Sequence, residues 1–226
     1  MTTYGVLGTG TVGRALAGKL ASLGHEVTMG TRDPVATLAR TETDDRGNVP
    51  LGEWLVENGG VRLDTFAGAA KDGHVLVNAV AGSGSLEALG AVDPADLEHK
   101  ILVDIANPLT WGPDGMGLTI AITDSLAETI QRTYPQLRVV KALNTVTARV
   151  MVDPGGIGGG DHTAFVAGDD PRAKTEVTTM LGTFGWRDVR DLGDLSAARG
   201  MEAYLLLWIR EMQAFDTPLF NVKVVR

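Results

Sequence analysis

Residues 5–17 read GVLGTGTVGRALA, and this stretch constrains the fold more than any other part of the chain. Gly8, Gly10 and Gly13 follow an apolar run and precede a run with helical periodicity, which predicts a strand, a tight turn and a helix. In such a turn the first glycine permits the bend and the second lets a ligand approach the backbone. The third lets helix and strand pack closely. Because the turn has its full strand–turn–helix context, it predicts a dinucleotide-binding unit rather than a turn without a ligand.

The backbone of this turn supplies the predicted phosphate contacts. Thr9, Thr11 and Val12 would present amide hydrogens at the positive end of the helix dipole, where an anion is stabilised. Together with the three glycines, these residues form the predicted pyrophosphate site.

Short apolar runs alternate with helical patterns along most of the chain, which predicts an α/β fold with a doubly wound parallel sheet. Several runs are continuously apolar, as in strands that are covered on both faces. The predicted strands are Tyr4–Leu7, Glu26–Met29, Val61–Leu63, Val75–Val80, Ile101–Ile105, Arg138–Leu143 and Thr163–Ala167. The predicted helices are Val12–Leu23, Thr65–Lys71, Leu86–Leu89, Leu126–Tyr134, Pro171–Phe184 and Ser196–Gln213. Ser125 and Glu128 have the spacing of a capping box.

The regular alternation of strand and helix patterns changes after Asn144. We therefore predict a nucleotide-binding domain, residues 1–146, and a small C-terminal domain, residues 147–226. The glycine-rich residues 153–161 lack the Lys-Ser/Thr ending of a P-loop and are predicted to form a flexible loop. Residues 41–50 and 109–118 are also predicted to be loops.

Composition excludes several classes of function. The chain has 226 residues, a net charge of -8 and no cysteine. The negative charge disfavours general nucleic-acid binding, and the missing cysteines exclude disulfides and thiol chemistry. No signal peptide and no apolar run of membrane-spanning length are recognisable, so we expect a cytoplasmic protein.

The stretch VTMGTRDP, residues 27–34, indicates which nucleotide binds. At the end of the second strand, an acidic residue would accept hydrogen bonds from the ribose of NAD and repel a 2′-phosphate. Here Thr31 and Arg32 come first, and arginine offers paired donors to a phosphate. We therefore predict NADP. The alternative is that Arg32 pairs with Asp33 on the surface and Asp33 binds the ribose.

Further site residues are expected where later strands end, because ligands of doubly wound sheets lie at the carboxyl ends of the strands. Small residues there would let a cofactor pass, and asparagine amides could orient a flat ring, although each asparagine could equally be a turn residue. The residues of this predicted nicotinamide region are Ala79, Val80, Asn107, Pro108, Asn144 and Thr145.

No strong acid–base or metal-binding arrangement is recognisable. The histidines are scattered, and we predict no metal site. Lys141 and Tyr204 remain possible proton donors. Direct hydride passage between two stacked redox rings fits such a chain best.

The sequence resembles the NADP oxidoreductases that depend on coenzyme F420, a 5-deazaflavin. The resemblance is carried by GTGTVGRALA, LGHEVTMGTRDP, VDIANPL, VVKALNTV, FVAGDD and DLGDLSAARGMEAY, and it extends over most of the chain. It implies a Rossmann fold, a 2′-phosphate site at Thr31 and Arg32, and a deazaflavin stacked on the nicotinamide in a cleft. That cleft would lie near residues 79–83, 107–108 and 144–145. In some members another basic residue follows shortly after the arginine, whereas this chain has Val35 and Ala36.

We therefore expect an oxidoreductase that transfers a hydride between NADP(H) and F420 or a similar flat redox partner. Two alternatives stay open: an NADPH-dependent reductase of a small imine or carbonyl compound, and a non-catalytic NADPH-binding module. A homodimer is possible, because symmetric pairs are the commonest oligomers.

Overall fold

The computed structural model describes residues 1–113, 115–120 and 122–226. Its strands are β1 (Thr3–Leu7), β2 (Glu26–Thr31), β3 (Val61–Thr65), β4 (Val75–Asn78), β5 (Ile101–Asp104), β6 (Leu109–Gly112), β7 (Gly115–Leu118), β8 (Arg138–Ala142), β9 (Thr163–Gly168) and β10 (Asp188–Asp191). Its α-helices are α1 (Thr11–Ser22), α2 (Pro34–Leu38), α3 (Leu51–Glu57), α4 (Phe66–Asp72), α5 (Ser85–Gly90), α6 (Pro94–Leu97), α7 (Leu126–Thr133), α8 (Ala148–Val152), α9 (Pro171–Phe184) and α10 (Ala198–Phe215).

Eight of these strands form one sheet in the order β10-β9-β8-β5-β4-β1-β2-β3. Neighbouring strands are parallel except β8 and β9, which are antiparallel. The chain leaves β1 towards β2 on one side and reaches β4 on the other, so the topological switch point lies between β1 and β4. The predicted doubly wound α/β fold is confirmed.

The two faces of the sheet bury different sets of side chains, because successive residues of a strand point to opposite faces. In β5, Ile101 and Val103 belong to one apolar cluster, and Leu102 belongs to the other. The first cluster packs against α1 and α9, and the second against α4, α5 and α7. This two-sided burial explains why the central strands are continuously apolar.

The structure extends several sequence predictions. β2 runs two residues further than expected, to Thr31, which pairs with Thr65 of β3. Residues 109–118, predicted to be a loop, form the antiparallel pair of β6 and β7, with Asp114 outside the described residues. The glycine-rich residues 153–161 contain two short 3₁₀ turns. The weak helices α2, α3, α6 and α8 and the strand β10 were not predicted, because short elements have little periodicity of their own.

Both parts of the proposed domain division contribute strands to the same sheet, since β9 and β10 extend it beyond β8. The division at residue 146 stays a prediction. None of the described helices has the length and apolar character needed to cross a membrane.

Polar contacts attach the C-terminal helix α10 to α7. The predicted capping box is present: the Ser125 hydroxyl accepts a hydrogen bond from the Glu128 amide at 3.1 Å. The Glu128 carboxylate receives two hydrogen bonds from the Arg199 guanidinium, at 2.9 and 2.6 Å. The hydrogen bond from Arg199 is the largest cause of a lowered pKa at Glu128. Charge therefore contributes to the position of α10.

This pair predicts an acid-dependent stability. The folded-state pKa of Glu128 lies below its unfolded value, so its contribution is present above the usual glutamate range and is lost as pH falls through the folded value. Urea unfolding of wild type and Glu128→Gln at about pH 7 and about pH 3 should show a larger loss of stability in the variant at the higher pH, because Glu128 is more protonated at the lower pH. An equal difference at both pH values would contradict the prediction.

Candidate active site

A cleft of about 510 Å³ lies at the carboxyl ends of the central strands. This volume is within the range of small-molecule sites, roughly 300–1,000 Å³. The lining comes from the turn after β1, the segments after β4, β5 and β8, the β6–β7 hairpin and α10. The lining residues are Gly10, Thr11, Val12, Arg46, Ala79, Val80, Ala81, Gly82, Ser83, Ile105, Ala106, Asn107, Leu109, Trp111, Asn144, Val146, Thr147, Ala148, Met151, Leu205 and Trp208.

The glycine turn has the geometry that its sequence predicts. Gly8 has φ of +116°, and a Cβ there would lie 2.7 Å from the Ala79 carbonyl oxygen. A Cβ on Gly13 would lie 2.1 Å from the Gly8 carbonyl oxygen, so helix and strand tolerate only hydrogen there. A Cβ on Gly10 would meet nothing within 4 Å, because this residue faces the open cleft. The turn is therefore closed where the protein packs and open where a ligand would approach.

The helix behind the turn begins with free donors. α1 starts at Thr11, and no side chain caps its first turn. Its first amide hydrogens have no partner within the helix, which leaves them for solvent or an anion. Thr11 and Val12 line the cleft, whereas Thr9 and the buried Gly8 and Gly13 lie behind its surface.

The end of β2 carries an exposed cation. The side chain of Arg32 is 75% exposed and pairs with Glu87 of α5, with Nη2 2.8 Å from the carboxylate oxygen. Asp33 is not its partner: the Asp33 carboxylate accepts a hydrogen bond from the Ala36 amide and caps α2. The Thr31 hydroxyl lies 3.0 Å from that of Thr37. The alternative of an Arg32–Asp33 pair is therefore wrong, and the partner that Arg32 does have, Glu87, was not predicted.

Two asparagines at neighbouring strand ends hold each other. The Asn107 side-chain amide donates to the Asn144 carbonyl oxygen, and the Asn144 amide donates to the Asn107 Oδ1, both at 2.9 Å. Asn144 also donates to the Met201 carbonyl oxygen of α10 at 2.8 Å. Both line the cleft, whereas Pro108 and Thr145 are buried outside its lining. These amides thus serve as structural links, and their role in orienting a ring stays a prediction.

Lys141 lies beneath the cleft in a fully buried ion cluster. Its ammonium is 2.8 Å from the carboxylates of Asp104 and Glu202, and it also donates to the Ala106 carbonyl oxygen. Glu202 further accepts hydrogen bonds from the first amides of α7, at 2.9 and 3.3 Å. Burial alone would lower the pKa of Lys141, but the two carboxylates raise it. Burial raises the pKa of Glu202.

These contacts indicate that Lys141 stabilises the fold by neutralising two buried carboxylates. The Lys141 ammonium contacts the Asp104 and Glu202 carboxylates and the Ala106 carbonyl oxygen. Lys141 is absent from the described cleft lining. Tyr204 is likewise outside that lining, and burial raises its pKa. Neither of the two proposed proton donors is therefore placed against the cleft. In the described part of the chain, no three His, Cys, Asp or Glu side chains are arranged to hold a metal ion.

The sequence analysis did not identify all of the cleft residues; among those that it missed are Arg46, Trp111, Leu205 and Trp208. Trp111 lies on β6, and Leu205 and Trp208 lie on α10. Trp208 stacks on Phe220 with ring centroids 5.3 Å apart. The amphipathic pattern of α10 identified its apolar face, but periodicity cannot tell whether such a face borders a core or a cleft.

This chain is similar to a known protein family and to several solved structures. Residues 3–108 match the family described as "NADP oxidoreductase coenzyme F420-dependent". A crystal structure from Arthrobacter sp. FB24, of a protein proposed to be an F420-dependent NADP reductase, is 51% identical. The match covers 100% of both chains with a TM-score of 0.94. A hypothetical protein from Sinorhizobium meliloti, 22% identical, covers 100% of this chain and 96% of its own, with a TM-score of 0.73. This last likeness shows the fold alone.

A curated relative is longer. The metalloreductase STEAP3 of Rattus norvegicus is 27% identical over 199 residues, which are 88% of this chain and 35% of that protein. The chain thus spans about a third of that relative's length. The glycine turn and the agreement with the Arthrobacter structure along the whole chain point the same way: this chain belongs to the coenzyme F420-dependent NADP oxidoreductase family and is an NADP-dependent oxidoreductase.

Proposed function

We propose that this oxidoreductase transfers a hydride between NADP(H) and a deazaflavin of the F420 type. The observation that carries the proposal is the character of the cleft wall. Its described lining consists of apolar side chains, amides and hydroxyls, with Arg46 as its charged member. Such a wall suits two flat rings held face to face, because a hydride passes directly between them without a proton from a side chain.

The sheet order supports one path for the nucleotide. Along the sequence β2-β1-β4-β5-β8, neighbouring strand ends carry Arg32, the glycine turn, Ala79 and Val80, Asn107, and Asn144. We propose that the 2′-phosphate lies at Thr31 and Arg32 and that the pyrophosphate lies on the turn. The cleft would then hold the nicotinamide. An extended dinucleotide would cross the sheet edge in this order, as in other doubly wound folds.

The protein contributes binding, orientation and exclusion of water. When bound, the reduced nicotinamide supplies a hydride, and an oxidised deazaflavin accepts it together with a proton from solvent. Backbone amides of Thr11 and Val12 would hold the pyrophosphate, and the small residues 79–83 leave room for the nicotinamide. Leu205 and Trp208 of α10 would cover the second ring and shield it from water.

The test follows the absorbance of oxidised F420. Purified protein is first titrated with NADPH and NADH by fluorescence, and oxidised F420 is then added to the NADPH complex. We expect preferential NADPH binding and bleaching of the deazaflavin. NADPH binding without bleaching would contradict F420 as the acceptor, and an assay with small imines and carbonyl compounds would then test the alternative reductase. No turnover with any acceptor would contradict both.

A homodimer, a cytoplasmic location and the division into domains at residue 146 stay proposals from the sequence. Light scattering of the purified protein would test the first of them.

A further inference from the structure

Residues 44–48 form a closed turn, although residues 41–50 were predicted to be no more than a polar loop. The Asp44 carboxylate accepts hydrogen bonds from the amides of Arg46, at 3.0 Å, and Asn48, at 2.9 Å. It also accepts one from the Asn48 side chain at 2.8 Å. The hydrogen bonds from Asn48 lower the pKa of Asp44, so the carboxylate that organises the turn stays ionised. We call these residues the Asp44–Asn48 turn.

This turn is attached to the predicted phosphate site. The Asn48 side-chain amide donates to the Thr11 hydroxyl at 2.9 Å, at the first residue of α1. The Arg14 guanidinium donates to the Thr9 carbonyl oxygen at 2.9 Å and to the Val49 carbonyl oxygen at 2.5 Å. The Asp44–Asn48 turn is therefore held against the same residues that present amides to the cleft.

Arg46 projects from this turn into the cleft lining. Among the described lining residues, it is the one with a charged side chain. The chain as a whole has a net charge of -8, which repels an anionic ligand unless cations lie close to it. A guanidinium in the same cleft lining as Gly10 and Thr11, where α1 begins, would offer planar donors in addition to the backbone amides.

We propose that Arg46 binds the diphosphate bridge of NADP(H), together with the first amides of α1, and that the Asp44–Asn48 turn positions it. The inference rests on the proposed nucleotide path. The diphosphate is favoured over an anionic group of the hydride acceptor because the turn is fixed to Thr11. Among the described residues, no hydrogen bond joins it to the β6–β7 hairpin or to α10, which also line the cleft. Arg46 would then be a binding residue that acts on both redox states of the nucleotide.

NADPH and NADH both contain the diphosphate, so a residue that binds the diphosphate should affect the binding of both nucleotides. Fluorescence titrations with each nucleotide are compared for wild type, Arg46→Ala and Arg46→Lys, with Arg40→Ala as the control. Arg40 is exposed, precedes the turn and lies outside the cleft lining. We expect Arg46→Ala to raise both dissociation constants by a similar factor, roughly 10-fold for lost charge-assisted hydrogen bonds. Arg46→Lys should recover part of the loss, and Arg40→Ala should change neither constant.

A second variant tests the positioning. Asn48→Ala keeps Arg46 but removes the contact with Thr11, so both dissociation constants should rise by a smaller factor than in Arg46→Ala. Unchanged nucleotide binding in Arg46→Ala, or a loss confined to NADPH, would overturn the inference and leave the proposed function intact. Unchanged nucleotide binding with a raised KM for F420 would assign Arg46 to the acceptor instead. Wild-type protein that bound no NADPH would overturn the proposed function as well.

Discussion

Replacement of Arg32 by alanine is expected to weaken NADPH binding roughly 10- to 100-fold, because charge-assisted hydrogen bonds to the 2′-phosphate would be lost. NADH carries no 2′-phosphate, so its binding should change little. The measurement is a fluorescence titration with both nucleotides. This selective effect on NADPH differs from the effect expected of Arg46→Ala, which should weaken the binding of both NADPH and NADH. An equal effect of Arg32→Ala on NADPH and NADH would contradict the 2′-phosphate assignment.

Glu87 gives the same site a second test in the opposite direction. Its carboxylate oxygen lies 2.8 Å from Nη2 of Arg32. The Glu87 carboxylate would therefore compete with a 2′-phosphate for the Arg32 guanidinium. Glu87→Gln should therefore tighten NADPH binding roughly two- to fivefold, which is the range expected for one exposed ion pair. Glu98→Gln is the matched control, since Glu98 is exposed and precedes the amino end of β5, whereas Arg32 follows the carboxyl end of β2. Weaker NADPH binding by Glu87→Gln would refute the competition.

The second large effect concerns stability and the buried cluster under the cleft. Lys141→Met keeps most of the side-chain volume but leaves Asp104 and Glu202 buried without their cation. We expect the free energy of unfolding to fall by about 3–5 kcal/mol, the usual cost of breaking a buried ion pair from one side. Urea unfolding near neutral pH measures it. Arg132→Met, which breaks an exposed pair with Asp124, serves as the control and should change stability little.

The penalty at Lys141 should depend on pH with a defined sign. In Lys141→Met, Glu202 loses the cation that opposes the effect of its burial, so its folded pKa should lie further above its unfolded value. Stability relative to wild type is therefore recovered as pH falls and lost as pH rises through the folded pKa. The double variant Lys141→Met/Glu202→Gln buries one carboxylate fewer and should be more stable than Lys141→Met near neutral pH. If Lys141→Met were as stable as the wild type, the buried ion cluster would not contribute to the stability of the fold.

Much of the fold was predictable because it depends on local patterns. Continuous apolar strands, the glycine turn and the Ser125–Glu128 cap each follow from short-range chemistry, and all of them are present. Periodicity was too weak for the five-residue helix α8 and the four-residue strand β10. The β6–β7 hairpin was missed because its residues 109–118 are rich in glycine and proline, which mark loops as readily as strand pairs.

Contacts between distant residues could not be predicted. Arg32 and Glu87 are 55 residues apart, and Lys141 and Asp104 are 37 apart. No pattern in one segment identifies its partner in another, so the sequence left Lys141 as a possible proton donor, whereas the fold buries it between two carboxylates. Arg46 likewise had no signal, because it belongs to a polar segment and only the Asp44–Asn48 turn brings it to the cleft.

The sequence by itself determined the doubly wound fold and the glycine turn, and it predicted NADP, because these inferences use patterns of residues that are close together along the chain. The tertiary structure alone decided which charges are available. It buries Lys141 between two acids, pairs Arg32 with Glu87 and brings Arg46 to the cleft wall. The physical reason is that the state of a charge is set by burial and by partners within a few ångströms, and folding brings those partners from distant positions of the chain.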